Sequence, residues 1–223
     1  MILKNAGFET EEQLVQAIAA SIRRARSRQY KVEFEVDAGV GIADLVLSKR
    51  TPSSSKALRA LASISPRVAV LLDGSIGASI HSLDELAACV GVSRSSAHRL
   101  LGQLLASGLA RPSKDGFALV AVSTPPYGRI IAVEAKLSSW QRALIQAYRN
   151  LQFADESWVV MDHKFARAAI AQIERFKASG VGLASLSRPQ GLFIHCSAHS
   201  AGPVSTGKRW QAQAVLAARA TGK

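Results

Sequence analysis

Three residues have the types and spacing for hydrolytic chemistry: Asp44, Glu134 and Lys136. Asp44 is lodged in Gly41-Ile-Ala-Asp-Leu-Val-Leu47 and Glu134 in Ile130-Ile-Ala-Val-Glu-Ala-Lys136, both apolar runs that read as strands. A carboxylate in a buried strand is costly unless a partner or a metal satisfies it. Side chains alternate along a strand, so Glu134 and Lys136 project from the same face. Two carboxylates and a lysine converging on one sheet edge suit a site for Mg2+ or Mn2+. The acids would hold the cation, while the lysine orients or helps deprotonate an attacking water and stabilises a charged phosphate. The competing account is structural: Glu134 and Lys136 as a neighbour pair, with Asp44 capping a turn. It leaves unexplained why two acids interrupt otherwise apolar strands.

The surrounding elements follow from periodicity. Residues 10–27 read as a helix, with Thr10 as N-cap, Leu14, Val15, Ile18 and Ile22 on one stripe, and Arg23, Arg24, Arg26 and Arg28 at its end. Strands follow at Tyr30–Val36 and Ile42–Leu47, separated by a turn at Asp37–Gly41. In the first strand Glu33 and Glu35 alternate with Val32, Phe34 and Val36 and read as its solvent face. Past residue 126 the pattern predicts a strand at Arg129–Lys136, a helix over 139–153, a strand at Trp158–Met161 and a helix over 164–178. A closing strand pair, Gly182–Leu186 with Leu192–His195, and a short Ala/Arg-rich helix at about residues 208–219 end the chain. The expected architecture is α/β: a mixed sheet flanked by helices, interrupted by a different module.

That module occupies residues 56–122, between linkers at Thr51–Ser55 and Thr124–Tyr127. Ser82 and Glu85 form a capping-box pattern opening one helix, and Gly91-Val-Ser93 is a turn. Arg94–Leu105 is a second helix with Ala97, Leu100, Leu101, Leu104 and Leu105 on its buried side. Gly108–Val120 reads as a hairpin with Asp115-Gly116 at its tip. The order of elements resembles the winged helix-turn-helix family of DNA-binding domains. Ser93, Arg94, Ser95, Ser96, His98 and Arg99 put small donors and cations where base edges and phosphates would lie, and Arg111 and Lys114 charge the wing. The bland alternative is a helical hairpin for protein contacts, with its arginines on a solvated face.

With the module excised, the remainder resembles the PD-(D/E)xK nuclease superfamily, the restriction-endonuclease-like fold. Its pattern is an acid ending the second strand, then (Asp/Glu)-x-Lys on the third; here these are Asp44 and Glu134-Ala-Lys136. The chain departs from it at Ala43, where the family name has Pro. Some members, archaeal Holliday junction resolvases among them, add a glutamate from the first helix. The resemblance implies that role for Glu11, which continues the Leu14 stripe; a helix-start acid stabilised by the helix dipole is the equal alternative. It also implies a bracing role for a polar residue such as Gln146 on the following helix, and a homodimer. The division implied is 1–50 and 127–200 as the nuclease-like domain, 56–122 as the inserted winged helix-turn-helix, and 201–223 as a basic tail.

A net charge of +12, from 28 Lys+Arg against 16 Asp+Glu, points to a polyanionic partner. Double-stranded DNA suits the module better than RNA, and no basic amphipathic segment suits a membrane surface. No signal peptide and no spanning apolar run is visible, so a cytoplasmic protein is expected. Cys89 and Cys196 are too few for a disulfide framework. Gly202-Pro-Val-Ser-Thr-Gly-Lys208 fits most of a phosphate-binding loop but continues with Arg209, and His195-Cys196-x-x-His199 lacks a second ligand pair. Trp140, Phe153 and Trp158 read as core. The leading expectation is a magnesium-dependent DNA endonuclease; the alternative is a DNA-binding regulator that does not cut.

Overall fold

The computed structural model describes residues 7–26, 29–77 and 80–222; Ser27 and Arg28, expected at the end of the first helix, lie outside the described residues. In chain order the elements begin with helix α1 (Glu11–Arg26) and strands β1 (Lys31–Asp37) and β2 (Ile42–Arg50). Helix α2 (Ser55–Ala62), a 3-10 helix at Pro66–Leu72, α3 (Gly74–Gly77), α4 (Leu83–Val90) and α5 (Arg94–Ala106) follow. Then come β3 (Ala110–Ser113), β4 (Gly116–Leu119), β5 (Tyr127–Lys136), α6 (Trp140–Asn150) and β6 (Glu156–Asp162). A 3-10 helix at His163–Phe165, α7 (Arg167–Ile170), α8 (Ile173–Ser179), β7 (Gly182–Ser187), β8 (Gly191–Cys196) and α9 (Thr206–Ala220) end the chain. The chain divides into two compact units: Met1–Lys49 with Arg129–Val204, and Arg50–Gly128 with Ser205–Lys223.

The first unit is built on a six-stranded sheet in the order β1-β2-β5-β6-β7-β8. β1 and β2 are antiparallel, β5, β6 and β7 run parallel, and β8 closes antiparallel to β7. Parallel strands are normally covered on both faces, which explains the near-continuous apolar runs of β5 and β6. On one face α1 supplies Leu14 and Ile18 to a core with Leu45, Val133, Val160 and Ala184. On the other, α6, α7 and α8 supply Trp140, Ala143, Ala169 and Phe176 over Val159, Met161 and Leu183. A mixed sheet flanked by helices is thus the observed architecture.

Two expectations change here. The helix over 164–178 is broken into three pieces, because the Asp162 carboxylate holds the Lys164 N–H at 2.9 Å and Gln172 leaves helical geometry at φ −114. Glu33 is not fully solvated: its side chain is only 15% exposed and pairs with Lys31. Glu35, facing Asp44 between the pairs Phe34–Leu45 and Val36–Ala43, has a positive φ of 49. A left-handed glutamate inside a strand is a strained position, set directly across from the acid of interest.

The second unit contains the helix-turn-helix. Ser82 accepts the Glu85 N–H at 3.3 Å while Glu85 accepts the Ser82 N–H at 3.0 Å, completing the capping box of α4. Gly91 ends that helix at φ 63, a conformation favoured for glycine, and Ser93 caps α5 by accepting the Ser96 N–H. Ala97, Leu100 and Leu104 are the buried residues of α5; Leu101 is half-buried and Leu105 is 38% exposed, so the apolar stripe is narrower than expected. β3 and β4 form the hairpin, and a Cβ at Gly116 would meet the His81 carbonyl oxygen at 2.1 Å, so only glycine fits there. α2, the 3-10 helix and α3 were not anticipated. α9, from the stretch read as a basic tail, packs against α2 and the 3-10 helix. Its Gln213, fully buried, accepts the Tyr127 N–H at 2.9 Å and donates to the Tyr127 carbonyl at 2.6 Å. Among the described residues, no helix is long and apolar enough to cross a membrane.

Candidate functional site

Glu11, Asp44, Glu134 and Lys136 come together in the first unit. The Asp44 carboxylate accepts the Ala135 backbone N–H at 2.8 Å, which fixes the start of β2 against β5. Lys136 Nζ donates to Glu11 Oε2 at 3.0 Å and to Asp44 Oδ2 at 3.4 Å. Side-chain exposure rises from 11% at Lys136 through 26% at Asp44 to 47% at Glu11, while Glu134 is fully buried. The cluster therefore opens to solvent on the Glu11 side.

Glu134 is held unequally. Asn150 Nδ2 donates to its Oε1 at 2.7 Å, whereas the buried Oε2 receives no donor among the described residues and lies within hydrogen-bond reach of the Asp44 carboxylate. Burial, and then the neighbouring Asp44 charge, push the Glu134 carboxyl up to about 8, against the opposing effects of the Asn150 amide and the Lys136 ammonium. Burial disfavours the Lys136 ammonium, but Asp44, then Glu11 and Glu134, outweigh it and hold its pKa above the ordinary lysine value. Lys136 is thus a fixed positive charge near neutral pH, suited to stabilising an anion rather than to taking a proton. Gln146, the expected brace, is half-buried with its Oε1 unpartnered among the described residues; the α6 residue that bonds Glu134 is Asn150, one turn later. Asn150 falls on the buried Ala143 and Ala147 stripe, the one signal that marked it.

No group of three or more His, Cys, Asp or Glu side chains placed to hold a metal ion occurs among the described residues. A cation at this site would take two protein carboxylates, Asp44 and Glu134, and draw its other ligands from water or phosphate, a common arrangement for Mg2+. The repulsion between the Asp44 and Glu134 carboxylates is what such an ion would relieve.

On α5 the side chains of Ser93, Arg94, Ser95, His98 and Arg99 are exposed and Ser96 is half-buried; Arg111 and Lys114 are exposed on the hairpin. Ser93 is committed to capping, with Ser95 and Ser96 hydroxyls 3.1 Å from its own. Arg94 is engaged by Asp84 of α4 through both carboxylate oxygens, at 2.9 and 3.0 Å. Arg99, Arg111 and Lys114 make no ion pair among the described residues, so their charges are presented outward. The two other motifs resolve structurally. Ser205 caps α9 by accepting the Lys208 N–H, which places Gly207 and Lys208 in a helix. The Cys196 thiol bonds the Val181 carbonyl oxygen, while His195 and His163 both face the Ser185 hydroxyl at 2.8 Å.

No curated protein matches the chain, and no solved structure does. The family model described as the IclR helix-turn-helix domain matches residues 56–113, from α2 through β3. With the capped α4, the glycine turn and the cationic α5 already in place, residues 56–113 form an IclR-type helix-turn-helix DNA-binding domain.

Proposed function

We propose that this protein is a DNA-binding regulator that recognises duplex DNA through α5. The observation that carries it is the IclR-type domain, whose second helix presents Arg99 outward with Arg111 and Lys114 on the following hairpin. A helix of this kind fits the major groove, where its N-terminal residues meet base edges and its cations meet phosphates. Phosphate contacts release counterions, so binding weakens with salt in proportion to their number. Fluorescence anisotropy with a mixed-sequence duplex tests this. Replacing Arg99 and Arg111 with Ala together is expected to lower the slope of log affinity against log salt by about two. An unchanged slope would remove the domain from DNA recognition.

A second function, metal-dependent phosphodiester hydrolysis on a restriction-endonuclease-like sheet, is favoured by the buried Glu134 carboxyl set against the Asp44 carboxylate that Lys136 contacts. Asp44 and Glu134 would hold Mg2+ or Mn2+, and the bound ion would polarise a phosphodiester oxygen. Lys136, kept charged by Asp44 and Glu11, would stabilise the developing negative charge, and Glu11 would keep the lysine in place at the open side. Lys136→Ala is expected to cut Mn2+-dependent plasmid nicking by about a hundredfold or more while leaving duplex affinity within about twofold. Tight DNA binding with no nicking by the wild type under either metal leaves the regulator alone standing.

A further inference from the structure

The α1 face of the sheet is covered by a single helix, and beside it lies a cavity of about 600 Å³ wholly within the first unit. That volume is in the range of small-molecule sites, which are apolar with a few placed polar groups. Its lining has that composition: Val133, Val160 and Ala184 on the sheet, Leu192 and Ile194 on β8, and Trp158. Leu192 and Ile194 are 45% and 62% exposed, apolar surface that an occupant would cover.

Trp158 is prearranged. It pairs in register with Gly182 on the adjacent strand, and a Cβ at Gly182 would stand 2.4 Å from the indole ring, so the missing side chain is what lets the indole lie across β7. Its Nε1 donates to Glu156 at 3.1 Å, which fixes the ring's rotation. Glu156 is in turn neutralised by Arg129. Arg24 also lines the cavity, and its only polar contact among the described residues is the Ser21 hydroxyl at 3.3 Å. The lining thus combines a fixed aromatic surface, aliphatic walls and one cation without a carboxylate partner.

We propose that this cavity is a binding site for a small aromatic anion, its ring against Trp158 and its acid group toward Arg24. Aromatic packing and desolvation would supply the affinity and the arginine the preference for a carboxylate or sulfonate. The proposal is independent of both functions above, since none of its residues belongs to the acid cluster or the helix-turn-helix.

The probe is 8-anilino-1-naphthalenesulfonate, titrated into the full chain with tryptophan excitation. Saturable binding of one dye per chain is expected, with tryptophan-sensitised dye emission reduced in Trp158→Phe, where Trp140 and Trp210 remain as donors. Arg24→Glu, on the exposed end of α1, is expected to weaken binding roughly tenfold, and Arg24→Gln by less, with circular dichroism unchanged. Non-saturating binding, or binding indifferent to both Arg24 variants, overturns the proposal. So does light scattering that shows a dimer which Ile194→Glu converts to a monomer, with dye bound only by that monomer: the face would then belong to a second copy of the chain.

Discussion

Glu134 has one oxygen held by Asn150 and the other buried against the Asp44 carboxylate, and its carboxyl is pushed up to about 8. Its proton is therefore bound more tightly in the folded chain than in the unfolded one, where the value is near the ordinary 4.5. Between those values the folded state holds a proton that the unfolded state has released, so stability falls as pH rises from about 4.5 to about 8 and levels off above. Glu134→Gln keeps the acceptor for Asn150 but cannot ionise. It is expected to match the wild type at pH 5 and to lack a loss on the order of a few kcal/mol by pH 8.5, read from urea unfolding midpoints. Parallel pH profiles in the two proteins would contradict the burial of an ionisable group there. Asp44, Glu134 and Lys136 were legible because acids seldom interrupt apolar strand runs without a purpose. Asn150 was not, because an asparagine near the end of an amphipathic helix reads as surface or cap, whereas Gln146, on the flank of the Ala143–Ala147 stripe, reads as the polar residue nearer the sheet.

Helices α4 and α5 were readable in advance because their signals are local: a capping box, a glycine turn and a serine cap each act within a few residues. The helix over 164–178 failed where a side chain outside the pattern intervened, Asp162 taking a backbone N–H that a continuous helix would have left for its own cap. Pairing across elements was invisible for the same reason, and the Arg94–Asp84 contact is the instance that matters for DNA. Both side chains are about 70% exposed, and an exposed ion pair contributes about 0–1 kcal/mol, so stability barely depends on it. Its effect is on availability: Asp84 occupies the guanidinium that a phosphate or base would use and places a negative charge beside it. Asp84→Ala is expected to tighten duplex binding by roughly twofold to fivefold with no change in thermal midpoint beyond about 2 °C. Weaker binding in the variant would instead make Asp84 a support that orients Arg94 for DNA.

Across the whole molecule, the alternation of strands and helices and the presence of a separate DNA-binding module were apparent from periodicity and composition. The membership of the last helix was not. α9 is rich in Ala and Arg, with little apolar contrast to betray a buried face, yet Ala212, Gln213, Ala214, Leu216 and Ala217 are all buried. It belongs with residues 50–128, just as residues 129–204 belong with residues 1–49. Each unit is therefore assembled from segments far apart in the order of synthesis. As the chain leaves the ribosome, the sheet lacks β5 to β8 while the helix-turn-helix is already exposed, and that domain in turn lacks its α9 partner until Thr206–Ala220 has emerged. A nascent chain passes through a stage in which basic, half-packed helices are free near ribosomal RNA, and a chain released early at Val204 would carry the acid cluster but a DNA-binding unit stripped of the helix that packs against the 3-10 helix at Pro66–Leu72.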